Sequence, residues 1–279
     1  MNTQTIPIIQ DRFSNPEYID PQAQLPLIQS LRGETPGQCG YFVSLSEMAK
    51  SNWIGEIPTI DTYTFFSGDT EEGILLRQPR MLVLPKSKVM AYDRVKFNQN
   101  QTLELLGNYR DFKSQPNVSN VQLFEILLLD KNNNPLHELP FRYAAKGSNQ
   151  ATFAVHYQLL ISEVTLCHAK ANGIPARAKN SEFNALCVFE LEVIRELAGD
   201  SQKSFACKVG SHSIPTMNNW QNFFLGCEDS VANRMLQLLS VPVSDRVIAA
   251  AKPVVAEVLD RAIDSYEGDV DIDIDSIPF

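Results

Sequence analysis

Apolar and polar residues alternate along much of the chain between Leu25 and Gly210. Short alternating runs that are rich in β-branched and aromatic residues and end at turn residues are typical of strands with one buried face. Lys131–Pro135, with three consecutive Asn residues, predicts a hairpin turn between two of these runs. The pattern predicts strands over residues 25–31, 41–45, 59–66, 74–76, 80–84, 103–109, 121–130, 136–145, 185–194 and 203–210.

The hydrophobic period changes from two to between three and four after Gln150. This change predicts a helix over residues 151–172, with Gly173 as its C-cap. A short helix after Ser46 and helical runs over residues 220–239 and 245–266 are also predicted, the last kinked at Pro253. The positions predicted for the inner face of the main helix are Phe153, Tyr157, Leu160, Ile161, Val164 and either Cys167 or His168.

These elements predict an α+β fold. The β-rich body would be an elaborated barrel of the oligonucleotide/oligosaccharide-binding (OB) type, or a sandwich, with one inserted helix. We expect a flexible N-terminal arm over residues 1–24, the β-rich nucleic-acid-binding domain over residues 25–212, a helical segment over residues 213–267 and a disordered acidic tail over residues 268–279.

Composition indicates a globular protein, with 44% hydrophobic and 20% charged residues. Neither a secretion signal nor an apolar run of membrane-spanning length is visible, which predicts a cytoplasmic protein. An odd number of cysteines, five, favours free thiols. The oligomeric state stays open, and a homo-oligomer is compatible with the sequence.

The net charge of −9 is distributed unevenly. Residues 264–279 hold six acidic and no basic residues, whereas Arg77–Lys113 holds eight basic and three acidic ones, several of them beside aromatic residues. Single-stranded nucleic acid is bound by cations that follow its phosphates and by rings that stack on its bases. The alternative is that the rings form core and the bases a solvated rim. The candidate nucleic-acid-binding residues are Arg77, Arg80, Lys86, Lys88, Tyr92, Arg94, Lys96, Phe97, Tyr109, Arg110, Arg142 and Lys146.

The segment Asp269–Phe279, DVDIDIDSIPF, resembles the C-terminal tip of bacterial and phage single-stranded DNA-binding proteins, the SSB family. In that family the tip docks into basic, hydrophobic pockets on replication, recombination and repair enzymes. The resemblance implies a partner-binding tail, although aspartates here alternate with Val and Ile where the family more often has an unbroken acidic block. The residues that would bind the partner are Asp271, Asp273, Asp275, Ile277, Pro278 and Phe279.

The body of the chain resembles an uncharacterised bacterial family in three stretches. They read GETPGQCGYFV, GILLRQPRMLVLP and LHELPFRYAAKGSNQATF. This resemblance implies no activity.

Motifs for catalysis are missing from the sequence, which contains no GxSxG and no Walker lysine loop. The potential metal ligands lack the short paired spacings of a zinc site, so we expect neither a metal nor a cofactor. We therefore predict a non-enzymatic protein that coats or protects single-stranded DNA and recruits DNA-processing enzymes. The alternatives are an interaction adaptor that does not bind DNA and a metal-dependent nuclease. The ligand types considered are Cys167, His168, Cys187, Cys207 and His212, and the acidic pairs are Glu71 with Glu72 and Glu190 with Glu192.

Overall fold

The computed structural model describes residues 25–33, 36–65, 69–100, 103–198, 204–226 and 230–240. These residues form a mixed α+β fold whose β-rich body contains two antiparallel sheets, as predicted. No helix in the described ranges has the length and apolar character needed to cross a membrane.

The larger sheet is organised around β8, which pairs along both of its edges. One edge binds β5 and β6 in succession, and the other binds β9. β10 and β11 extend the sheet beyond β5, and β7 extends it beyond β6. β5 and β6 are therefore one interrupted strand, and Ser87 fills the interruption by accepting a hydrogen bond from the Leu123 N–H at 3.0 Å. The strands are β5 (Arg80–Pro85), β6 (Met90–Asp93), β7 (Leu105–Asn108), β8 (Val118–Leu128), β9 (Phe141–Lys146), β10 (Val188–Ala198) and β11 (Ser204–His212).

The smaller sheet has the order β1-β2-β4-β3. Its buried residues pack onto β9, where the rings of Tyr41 and Tyr143 meet edge to face with centroids 5.3 Å apart. The strands are β1 (Gln29–Leu31), β2 (Gly40–Ser44), β3 (Asp61–Thr64) and β4 (Thr70–Leu76).

The segment before β1 joins the two sheets. Ile28 N–H donates to the Arg142 carbonyl at 3.0 Å, and Arg142 N–H donates to the Pro26 carbonyl at 2.7 Å, so this segment lies along β9 before β1 continues to β2. Within the described residues no strand pairing closes either sheet on itself. The OB-like barrel is therefore not confirmed and stays a prediction.

The long helix α4 (Gly147–Ala171) covers the core face of the larger sheet. The three-to-four spacing places the predicted positions on one side of the helix, where all are buried except His168, the alternative to Cys167, which is half-buried. The helix begins four residues earlier than predicted and ends one residue earlier, with Asn172 as C-cap and Gly173 at a φ of +62°. The Tyr157 hydroxyl donates to the carbonyls of Val83 and Asn184, at 3.1 and 3.0 Å.

The shorter helices were predicted less well. Among them α2, α3 and α5 were missed, and the helical run predicted over residues 220–239 is divided into a 3-10 turn, Trp220–Phe223, and α6. β6 was also missed, and the strands predicted over residues 103–109 and 136–145 are shorter, starting at Leu105 and Phe141. The helix predicted over residues 245–266 and the acidic tail lie outside the described residues. The bounds are α1 (Leu45–Lys50), α2 (Arg94–Asn100), α3 (Tyr109–Phe112), α5 (Ser181–Ala185) and α6 (Ser230–Ser240).

Candidate nucleic-acid interface

Lys146, the last residue of β9, extends over two aromatic rings. Its Nζ lies 3.6 Å from the centroid of the Phe97 ring and 5.8 Å from that of Tyr92. The β9–β8–β6 pairing sets this arrangement, because Val121 of β8 pairs with both Lys146 and Met90. Cationic and aromatic side chains from two distant parts of the sequence therefore meet at one end of the larger sheet.

The turn from β6 into α2 places the two rings. The Asp93 carboxylate accepts a hydrogen bond from the Lys96 N–H at 3.0 Å, as a helix N-cap does. Tyr92 then lies in the strand and Phe97 in the helix, and their rings meet edge to face at 5.7 Å. Arg94 begins α2 and lies near enough to Tyr92 to act on its ionisation.

Burial and a neighbouring cation control the charge of Lys146. Burial, and secondly the positive charge of Arg32, lower the pKa of Lys146 to about 7. Burial raises the pKa of Tyr92, against the opposing effects of a hydrogen bond from Ser119 and the charges of Arg94 and Arg32. We call Arg32, Arg94, Lys146 and the rings of Tyr92 and Phe97 the cationic cluster.

Lys146 has no ion-pair partner in the part of the chain that the structure describes. An ammonium group that is half-buried beside an arginine gains from any anion that replaces its lost hydration. Phosphate oxygens meet this need, since they accept several charge-assisted hydrogen bonds.

The rings of the cluster do not serve as an open stacking platform. Tyr92 is only 2% exposed, so its ring has no free face for a base. Phe97 is half-buried and already holds the Lys146 ammonium against its ring. The placement of these two rings therefore does not support the prediction that they stack on bases, and contact between the cations and phosphates stays a prediction.

The remaining candidates of this region surround the cluster on neighbouring elements. Lys88 is exposed between β5 and β6, and Arg110 is exposed on α3 beside the half-buried Tyr109. Lys96 of α2 pairs with Glu104 at 3.4 Å, with both side chains more than half exposed. Such an exposed pair is weak and exchanges readily with other anions.

Three other candidates are engaged elsewhere. Arg80 binds Glu190 at 2.5 Å, the Asn133 side-chain oxygen at 2.8 Å and the Asn222 carbonyl. Lys86 pairs with Glu125 at 3.2 Å, and Arg142 donates to the Leu25 carbonyl at 3.1 Å. These side chains hold elements of the fold together.

Arg77 belongs to a separate cleft of about 550 Å³. It donates to the Gly37 carbonyl at 2.8 Å. Arg195, which the sequence analysis did not single out, lines the same cleft, donates to the Gly33 carbonyl at 2.9 Å and lies over the Phe205 ring. Arg195 is far from Arg77 in the sequence, so the sequence alone did not predict that the two arginines line one cleft.

The potential metal ligands do not come together. In the described ranges, no group of three or more His, Cys, Asp or Glu residues could hold a metal ion. The thiols of Cys167 and Cys187 point to the carbonyls of Pro215 and Phe183. The predicted partner-binding residues, Asp271 to Phe279, lie outside the described residues.

A series of hydrogen bonds that joins His156, His212 and Glu163 was missed by the sequence analysis. His156 and His212 share a hydrogen bond between their Nδ1 atoms at 2.9 Å, and His212 Nε2 lies 3.1 Å from a Glu163 oxygen. Burial, and then His212, lower the pKa of His156. The signal was available, because His156 and Glu163 are two helical turns apart on α4.

The family of the chain is shown by a match over residues 22–241 to the family model described as "Domain of unknown function (DUF5895)". The match covers more than half of the sequence, and the chain belongs to this family. All residues of the cationic cluster fall within the matched range, while the acidic tail falls outside it. No curated protein and no solved structure matches the chain.

Proposed function

We propose that this DUF5895 protein is a non-enzymatic single-stranded DNA-binding protein that coats or protects the strand and recruits replication, recombination and repair enzymes. The observation that carries the proposal is Lys146, which has no anionic partner in the described part of the chain and is accompanied by Arg32 and Arg94. Such a group of cations suits a phosphate backbone.

Binding would depend mainly on phosphates and little on base identity. The cations of the cluster lie at one end of the larger sheet, with Lys88, Lys96 and Arg110 on adjoining elements. Because Tyr92 is buried and the Phe97 ring is covered by Lys146, stacking would be left to the half-buried ring of Tyr109. We therefore expect strong salt dependence and weak sequence preference.

The fold compatible with this role is an elaborated OB-like arrangement, which we include in the proposal. It is supported by the antiparallel sheets and by the segment before β1, which links β9 of one sheet to β2 of the other. The helix α4 enters after several strands, as a helix does in an OB barrel.

The recruiting part of the proposal rests on the resemblance of Asp269–Phe279 to the SSB tip. Acidic residues would draw the tail to a basic partner surface, and the Ile-Pro-Phe residues would fill an apolar pocket. The partner class is therefore an enzyme that processes single-stranded DNA.

A fluorescence anisotropy titration with labelled oligo(dT) at low and moderate salt tests the body of the proposal. We expect binding at low salt whose affinity falls steeply as salt rises, because each phosphate contact releases a counterion. Absence of binding at low salt, or binding that is indifferent to salt, would contradict it.

The tail is tested separately in the same assay. Removal of residues 277–279 is expected to leave oligo(dT) affinity within about twofold, since these residues carry no positive charge, and to abolish capture of a DNA-processing partner. Ser276→Ala is the matched control and should retain capture. If the full chain captures a partner but does not bind oligo(dT), the result favours the alternative that the protein is an interaction adaptor.

A further inference from the structure

Cys39, directly before β2, and Cys207 of β11 are buried in the same core cluster. Cys207 lies on β11 opposite Arg195 of β10. Cys39 Sγ lies 3.7 Å from the carbonyl oxygen of Ile194, the residue before Arg195, so the two cysteines are neighbours in the core, and each thiol acts on the pKa of the other. Neighbouring cysteines can form a disulfide where their Cα atoms lie within about 7 Å of each other.

The surroundings of Cys39 favour its thiolate. Cys39 lines the cleft of about 550 Å³ that also holds Arg77 and Arg195. The hydrogen bond from Cys207 lowers the pKa of Cys39, burial opposes this effect, and the charges of Arg195 and Arg77 lower the pKa further. Thiolates, and not thiols, attack oxidants, so these surroundings mark Cys39 as the reactive member of the pair.

The other described cysteines differ. Burial raises the pKa of Cys167 and of Cys187, and their sulfurs are directed at backbone carbonyls. Cys167 is therefore an internal reference for an unreactive thiol in the same chain.

We propose that Cys39 and Cys207 form a peroxide-sensitive dithiol that is oxidised reversibly to a disulfide. The inference is independent of DNA binding, and its failure would leave the proposed function untouched. It goes beyond that function, because it assigns a modification site to the cleft of Arg77 and Arg195.

The chemistry is a two-electron oxidation by hydrogen peroxide. The Cys39 thiolate attacks one peroxide oxygen, the O–O bond breaks, and the leaving hydroxide takes up a proton as water, which leaves Cys39 as a sulfenic acid. The Cys207 sulfur then attacks the Cys39 sulfur, the S–O bond breaks, and the second hydroxide leaves as water with the Cys207 proton. Two thiols and one peroxide give one disulfide and two waters, and a dithiol reductant reverses the change.

The disulfide would join the start of β2 in the smaller sheet to β11 in the larger sheet. It would close a loop of more than half the chain and so restrict the unfolded state strongly. We expect the Tm of the oxidised protein to exceed that of the reduced protein by roughly 10 °C.

The test is peptide mapping of the reduced full chain after treatment with equimolar hydrogen peroxide. We expect a peptide cross-linked through Cys39 and Cys207 that disappears on reduction, formed at a rate roughly tenfold above the oxidation of Cys167. Unlinked Cys39 and Cys207 peptides, or Cys167 oxidised as fast as Cys39, would overturn the proposal.

Variants sharpen the assignment. In Cys207→Ser, Cys39 should accumulate as a sulfenic acid that dimedone traps, whereas Cys39→Ser should yield no trapped product at Cys207. Cys167→Ser is the matched control and should form the cross-link at the wild-type rate. If Cys207→Ser fails to fold, the map of the wild-type chain still decides the question, because it needs no variant.

Discussion

Two basic side chains on the same sheet, Arg80 of β5 and Lys146 of β9, have opposite surroundings. Arg80 meets the Glu190 carboxylate, the Asn133 side-chain oxygen and a backbone carbonyl, so every part of its guanidinium group is used within the fold. Lys146 meets two rings and a neighbouring arginine. Both were candidates for binding nucleic acid, and both lie in segments with more basic than acidic residues.

The difference shows that a basic residue is informative only together with its partners. The anions around Arg80 make it a cross-link between β5, β10 and the turn before β9. The cations and rings around Lys146 leave its charge uncompensated by the described residues and lower its pKa. Arg80 therefore stabilises the fold. Burial and Arg32 disfavour the charged form of Lys146, and binding of an external anion would offset this effect.

The largest effect expected from this comparison is on stability. Arg80→Met removes the partner of a carboxylate and of two further oxygens, and we expect the free energy of unfolding to fall by about 3 kcal/mol. Chemical denaturation measures the loss. The control is Arg77→Met, which removes an exposed side chain with one hydrogen bond to Gly37 and should cost less than about 1 kcal/mol. Equal losses for the two variants would show that the Arg80 contacts are not stabilising.

The second expected effect is a loss of binding without a loss of stability, the opposite of what is expected for Arg80. Lys146→Met keeps the length and apolar stem of the side chain and removes its charge, so we expect oligo(dT) affinity to fall roughly tenfold at low salt. Stability should stay equal or rise, because a cation no longer needs to be buried beside Arg32. Lys131→Met, in the exposed turn before β9, is the matched control and should leave affinity unchanged. An affinity loss for Lys131→Met equal to that for Lys146→Met would remove the distinction between the cluster and general surface charge.

The sequence allowed the elements with strong periodicity to be predicted. The spacing of apolar residues from Phe153 to Cys167 predicts the inner face of α4. The long apolar run of β8 predicts the centre of the larger sheet. α2 has no such pattern, since Val95 is exposed and Phe97 packs on Tyr92, and the helix depends on its Asp93 cap. Asp93 is a residue type that often caps helices, but a capping residue without hydrophobic periodicity after it is not enough to predict a helix.

The site was only partly predictable for a related reason. Tyr92, Arg94, Phe97 and Lys146 were all candidates, but the contact between Lys146 and the rings depends on pairing across β6, β8 and β9. Arg32 joins from the other sheet and was missed, because its nearest candidate in sequence is Arg77. Burial, which decides that Tyr92 faces inward and that Arg80 is bound, is a property of the assembled sheets.

The smallest expected effect concerns pH and tests whether Lys146 itself carries the binding charge. Because burial lowers its pKa to about 7 in the free protein, Lys146 loses its charge as the pH rises through the neutral range. A bound phosphate favours the charged form and raises the pKa, so binding takes up protons and must be strongest below the free-state pKa. We expect oligo(dT) affinity to fall roughly fivefold as the pH rises from about 6.5 to about 8.

The matched variant for this effect is Lys146→Arg, which keeps a positive charge throughout this range because a guanidinium group does not lose its proton. Affinity for oligo(dT) should then be nearly flat between the same two pH values, at a level no lower than that of the wild-type chain at about pH 8. A pH dependence that persists in Lys146→Arg would assign the titration to a group other than Lys146; His156 is not that group, because burial lowers its pKa below this range. If the oligo(dT) affinity of the wild-type chain does not change with pH, the Lys146 ammonium does not contribute to binding. Lys146 and Arg80 would then differ only in their effect on stability.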